Sequence, residues 1–151
     1  MSDALVLSRL RQFLLVVSAL LLIGTLVELW LINHMEDPVQ LIPFALCGLG
    51  LVAVFVALLR PRRASLLGLR ACMGLLVLGS FLGVYLHLES NHGFQRELHP
   101  NASTGELLLG TLGGANPLLA PGMLAITAAL AIAATYQHPA FGAQGRETGR
   151  A

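Results

Sequence analysis

Four apolar stretches organise this chain, at about 13–32, 41–59, 67–87 and 117–136. Each is close to the ~20 residues that carry an α-helix across a hydrocarbon core of ~30 Å. None has the polar face that a helix on a soluble core requires. The pattern predicts an all-α integral membrane protein: a four-helix bundle of antiparallel spans. Met1–Gln12 forms a short arm ahead of the first span, and Asn33–Pro38 is a tight turn that pairs the first two spans as a hairpin. Arg60-Pro61-Arg62-Arg63 stops the second span, because proline and charge together end an apolar helix. The longest connection runs from Glu89 to Asn116. Within it Ser103 and Glu106 match a capping box ahead of Leu107–Leu109, which predicts a short helix over 104–112. The fourth span starts at Pro117 or after Pro121. Residues 1–137 then make one transmembrane domain, and the Gly-rich, polar stretch 138–151 reads as a disordered cytoplasmic tail.

Charge gives this pattern a direction. All nine basic residues are arginine, and eight of them flank the spans on one side: 9, 11, 60, 62, 63, 70, 146 and 150. Arg96 is the exception. Cytoplasmic flanks collect basic residues, so both termini are expected in the cytoplasm, in a multi-pass protein of the bacterial inner or plasma membrane. Arg60, Arg62, Arg63 and Arg70 are expected to fix orientation and to reach lipid headgroups. The lipid bilayer is thus the first partner. A formal net charge of +1 gives no field that would gather nucleic acid. The apolar run after Arg11 is longer than a signal-peptide core and ends in Glu28, Trp30 and His34 rather than a small-residue cleavage site, so it reads as an uncleaved span. Cys47 and Cys72 fall at different depths, too far apart for a disulfide.

Small residues mark helix faces that pack closely. Gly79 and Gly83 form a G-x-x-x-G on the third span, and Gly24 lies on the first. The partner face belongs either to this chain, to a second copy or to another membrane subunit.

The candidate chemistry gathers on the side opposite the arginines. His87 continues the Gly79–Gly83 stripe, and Glu28 is an acid inside a span, a costly placement that points to function. With Gln40 and Asn116 these two could line one polar pocket under the outer loop. His34, Glu36, Asp37, Glu89, His92 and His99 are candidate metal ligands, since imidazole with carboxylate suits zinc, copper or iron. His87 with His34 could also hold a haem. No cofactor is required by the sequence. No nucleophile elbow, phosphate-binding loop or catalytic triad spacing occurs. The leading expectation is a non-enzymatic structural or accessory subunit of a membrane complex. The alternative is an outward-facing metal, haem or small-molecule binding protein.

Overall fold

A computed structural model describes residues 2–142, and these are almost entirely helical, with no strand among them. The helices are α1 (Asp3–Leu31), α2 (Ile42–Leu59), α3 (Arg63–Leu98), α4 (Thr104–Leu112) and α5 (Leu119–Ala133). Short 3-10 turns, Pro38–Leu41 and Pro139–Phe141, lead into α2 and follow α5. Three segments are long and apolar enough to cross a membrane: Asp3–Leu31, Pro38–Leu59 and Arg63–Leu98. The fourth apolar helix, α5, has only 15 residues. Part of the expected tail, with Arg146 and Arg150, lies outside the described residues.

Local chemistry sets the helix ends. The arm before the first span is helical, so α1 already begins at Asp3. Asn33 closes α1 in the left-handed conformation (φ 53°), which asparagine adopts more easily than most residues. Gln40 Oε1 accepts from the Glu36 and Asp37 amides at 2.8 and 3.3 Å and fixes the turn to α2. Pro43 falls in the first turn of α2, where no N–H is needed. Ser103 Oγ accepts from the Glu106 amide, and the Glu106 carboxylate accepts from the Ser103 amide at 2.8 Å, so α4 starts at a complete capping box. α5 ends in a turn with Gln137 left-handed at φ 47°.

The connection expected over 89–116 is mostly helix. α3 runs on to Leu98, beyond the apolar stretch, and the first proline it meets is Pro100. A polar helix continues until something stops it, and the residue before a proline disfavours helical backbone. Arg96 sits in the last turn, where a cation suits the helix dipole. The fourth apolar helix, α5, is shorter than the 117–136 stretch expected to form a span.

α1 packs against α2 and α5, and α3 packs against α2, α5 and α4. The interior mixes leucines (Leu22, Leu66, Leu69, Leu76) with small residues (Ser18, Ala57, Ser80, Ala128, Ala131). The outside is as apolar as the inside, with Leu20, Phe81 and Leu119 well exposed. In lipid, burial alone does not drive helices together, so close contact at small residues carries the packing. Gly50 lets α2 approach α1 and α3, because a methyl there would stand 3.1 Å from Leu22 and 3.3 Å from Leu76. The G-x-x-x-G of α3 is used within the chain. A methyl at Gly79 would strike the Leu46 side chain of α2, and one at Gly83 would come within 2.7 Å of the Pro121 ring of α5. Buried hydroxyls are satisfied inside their own helices: Ser18 and Thr127 each donate to the carbonyl four residues back at 2.8 Å.

The two glycines make different predictions. Leu46 can rotate away from an added methyl, but the Pro121 ring cannot. Gly83→Ala should therefore destabilise more than Gly79→Ala, within the ~1–3 kcal/mol usual for overpacking. Thermal unfolding in detergent reads the difference, and the reverse order would contradict this account of the α3–α5 contact.

Candidate functional site

The end of the molecule away from the arginines is organised by a residue the apolar pattern does not flag. Asn91, on α3, is 1% exposed. Its Nδ2 donates to the Thr111 carbonyl at 3.1 Å and to the Asn116 carbonyl at 2.9 Å. Its Oδ1 accepts from the Asn116 amide at 2.9 Å and from Asn116 Nδ2 at 3.1 Å. Asn116 Nδ2 also donates to Ser90 Oγ at 3.0 Å. One primary amide thereby holds the whole passage from α4 into α5. Gly114 has no side chain because Asn91 fills that space. Gly110 likewise faces Gln95, whose Oε1 would stand 2.7 Å from an added methyl.

The histidines sit around this hub. His87 Nδ1 lies 2.9 Å from the Pro117 carbonyl, so that nitrogen donates, and Nε2 has no hydrogen-bond partner among the described residues. His92 Nδ1 is 3.2 Å from Thr111 Oγ1. His34, in the turn after α1, is near enough to His87 to be repelled by it. Burial first and that repulsion second hold the His34 pKa below its ordinary value.

Of the four residues expected to share a pocket, His87 and Asn116 both engage the segment entering α5. Glu28 and Gln40 do not. Gln40 is committed to its own turn. Glu28 is exposed on α1, and its carboxylate makes no hydrogen bond or ion pair with any described residue. At ~100° per residue, the buried stripe Arg11–Leu15–Ser18–Leu22 leaves Glu28 on another face. Gly24 is equally open, with nothing within 4 Å of where a methyl would stand. Among the candidate metal ligands, Glu36, Asp37, Glu89, His92 and His99 are exposed. No three His, Cys, Asp or Glu side chains converge among the described residues. The Glu106 carboxylate is held below its usual pKa, chiefly by the Ser103 hydroxyl and amide.

The opposite end carries a second polar arrangement. Arg11 Nη2 donates to the carbonyls of Tyr136 and Gln137 at 3.1 and 2.9 Å. Arg70 Nε donates to Thr135 Oγ1 at 2.8 Å, its Nη2 lies 3.3 Å from the Thr135 carbonyl, and its guanidinium stands 4.5 Å over the Phe141 ring. Arg70 is thus tied to the end of α5. Arg60, Arg62 and Arg63 are exposed.

Sequence reasoning missed Asn91 and the role of Arg11, although both were signalled. Asn91 continues the Gly79–Gly83–His87 series by one more step of four. Arg11 lies seven residues before Ser18, on the same stripe. Two cavities are prominent, one of about 600 Å³ beside Gln95, His99 and Glu106 and one of about 390 Å³ at the arginine end. Neither is lined by Glu28, Gln40, His87 or Asn116. No known protein family, curated protein or solved structure matches this chain.

Asn91→Asp keeps the size but turns a donor into an acceptor facing two carbonyls. It should cost about 1–3 kcal/mol, the penalty for leaving buried groups unpaired. Denaturant unfolding measures the loss, and faster amide exchange at Asn116 locates it. Wild-type stability in this variant would contradict the hub.

Proposed function

We propose that the chain crosses a plasma membrane four times as an antiparallel bundle, with both termini in the cytoplasm. In this reading it serves as a non-enzymatic structural or accessory subunit of a membrane complex. The orientation follows the arginines, since the Arg11 and Arg70 end also carries Arg9, Arg60, Arg62 and Arg63. α5 completes the fourth crossing despite its length, because its ends are held by polar groups of α1 and α3.

The observation that carries the subunit reading is the open face of α1. Glu28 and Gly24 stand one turn apart on an apolar surface, and neither is covered by any described residue. An acid in a span is costly until it is paired or reaches water, and a glycine beside it lets another helix come close. Asn91 and Asn116 at the outer end support the same reading, being occupied in hydrogen bonds that hold the loop. This face is where a second copy or another subunit docks.

Because the Gly24 site is open, Gly24→Leu should leave the monomer folded and unfolding unchanged. Assembly, read by native mass spectrometry or crosslinking in membranes, should weaken about tenfold, matching an interhelical contact of ~1–2 kcal/mol. Glu28→Gln should weaken it in the same direction. A wild-type chain that is a sharp monomer with no co-purifying partner would overturn the proposal.

One observation favours a second reading, an outward-facing metal or haem site. His87 directs Nδ1 at a carbonyl and leaves Nε2 available, the arrangement common in ligating histidines, and His34 is its neighbour. Metal analysis and a visible spectrum of the purified protein decide it. Stoichiometric metal or a Soret band, lost in His87→Ala, would favour this reading, and neither signal would end it.

A further inference from the structure

The cavity at the arginine end joins features that the subunit reading does not use. It lies among the first turns of α1, the end of α2, the start of α3 and the turn after α5. Its volume of about 390 Å³ is within the ~300–1,000 Å³ of ligand pockets. Leu7, Leu15, Leu58 and Leu66 give it mostly apolar walls. Arg11 is its only permanently charged lining residue, and no carboxylate lines it among the described residues.

Arg11 is 9% exposed, and its Nε has no hydrogen-bond partner. Two carbonyls accept from Nη2, but no anion among the described residues balances the charge. A buried guanidinium without a counter-charge is expensive. His138, also lining the cavity, is kept below its ordinary pKa by burial and by Arg11, and an imidazole cannot supply the missing negative charge. The site therefore matches a ligand with one anionic group and a long apolar body.

We propose that this cleft binds an anionic phospholipid, its phosphate at Arg11 and one acyl chain along the leucines. The proposal rests on the reading above that this end meets the cytoplasmic leaflet, where anionic lipids gather beside basic residues. Free phosphate shares the headgroup chemistry but would leave the apolar walls unused.

The test uses the full chain, delipidated in an uncharged detergent, with dioleoyl phosphatidylglycerol or dioleoyl phosphatidylcholine titrated by native mass spectrometry. One phosphatidylglycerol should bind per chain, about fivefold more tightly than phosphatidylcholine, as one arginine–headgroup contact supplies. Arg11→Gln should remove the preference. That variant also loosens α5, so Ser8→Phe provides the second arm: it fills the cleft from an exposed position and leaves the Arg11 bonds in place. Ser8→Phe should lose the lipid at unchanged unfolding temperature, and Arg62→Gln should bind as the wild type does. Equal binding of the two lipids overturns the proposal. So does displacement of phosphatidylglycerol by equimolar inorganic phosphate, which would make a small anion the ligand. Selectivity that emerges only in Glu147→Gln also overturns it, since the chain's own acid would then be the occupant. Binding is read in detergent, so a failure here leaves the four-span reading intact, and a reversed orientation would leave the selectivity unchanged.

Discussion

Two guanidinium groups closing on the carbonyls beyond α5 are the contact on which the bundle depends. With 15 residues at 1.5 Å rise, α5 is about 22 Å long, well short of the ~30 Å hydrocarbon core. The carbonyls of Leu130, Ile132 and Ala133 are met by the amides of the turn that follows, but those of Tyr136 and Gln137 lie beyond that turn, and in a dry setting an unpaired carbonyl is costly. Arg11 from α1 donates to both of these, and Arg70 from α3 reaches Thr135 beside them. Hydrogen bonds to charged groups are worth ~1.5–3 kcal/mol each, and a cation at the negative end of a helix adds to that. The same contacts tie together three segments that elsewhere meet through leucines and small side chains and, at the outer end, through Asn91 and His87.

The other end of α5 solves the same problem with neutral groups. Asn91 gives two hydrogen bonds and accepts two, and His87 meets the Pro117 carbonyl. Charge holds one end and amide chemistry holds the other. At that outer end the hydrogen-bonding capacity of Asn91 and Asn116 is committed to the loop. Glu28 beside Gly24 on the α1 face, and the charge of Arg11 in its cleft, are two polar features without a full partner among the described residues.

Much of the helical plan was legible in the residues. Continuous apolar runs dictated helices, and the Ser103–Glu106 spacing located the start of α4. The extent of α3 was not legible, because the apolar pattern ends near Leu86 while the helix is carried to Leu98 by the α4 segment packed on it and the absence of a breaker. That single misjudged end hid Asn91, one step further along a stripe already recognised. The arginines were read for their sidedness, which treats them as solvated flags. Whether such a residue faces lipid headgroups or a helix end depends on which neighbour lies opposite, and a linear pattern of charge does not carry that. Glu28 does not continue the buried Arg11–Leu15–Ser18–Leu22 stripe, because the helical repeat carries it round to the open face of α1.

The claim that matters most is that short α5 runs from one side of the bilayer to the other, held at both ends by α1 and α3. Single cysteines at Ala115 and Tyr136, in a chain with Cys47 and Cys72 replaced by serine, test it by labelling intact and permeabilised cells. The account predicts that position 115 reacts from outside and position 136 only after permeabilisation. Labelling of both positions from the same compartment would contradict it.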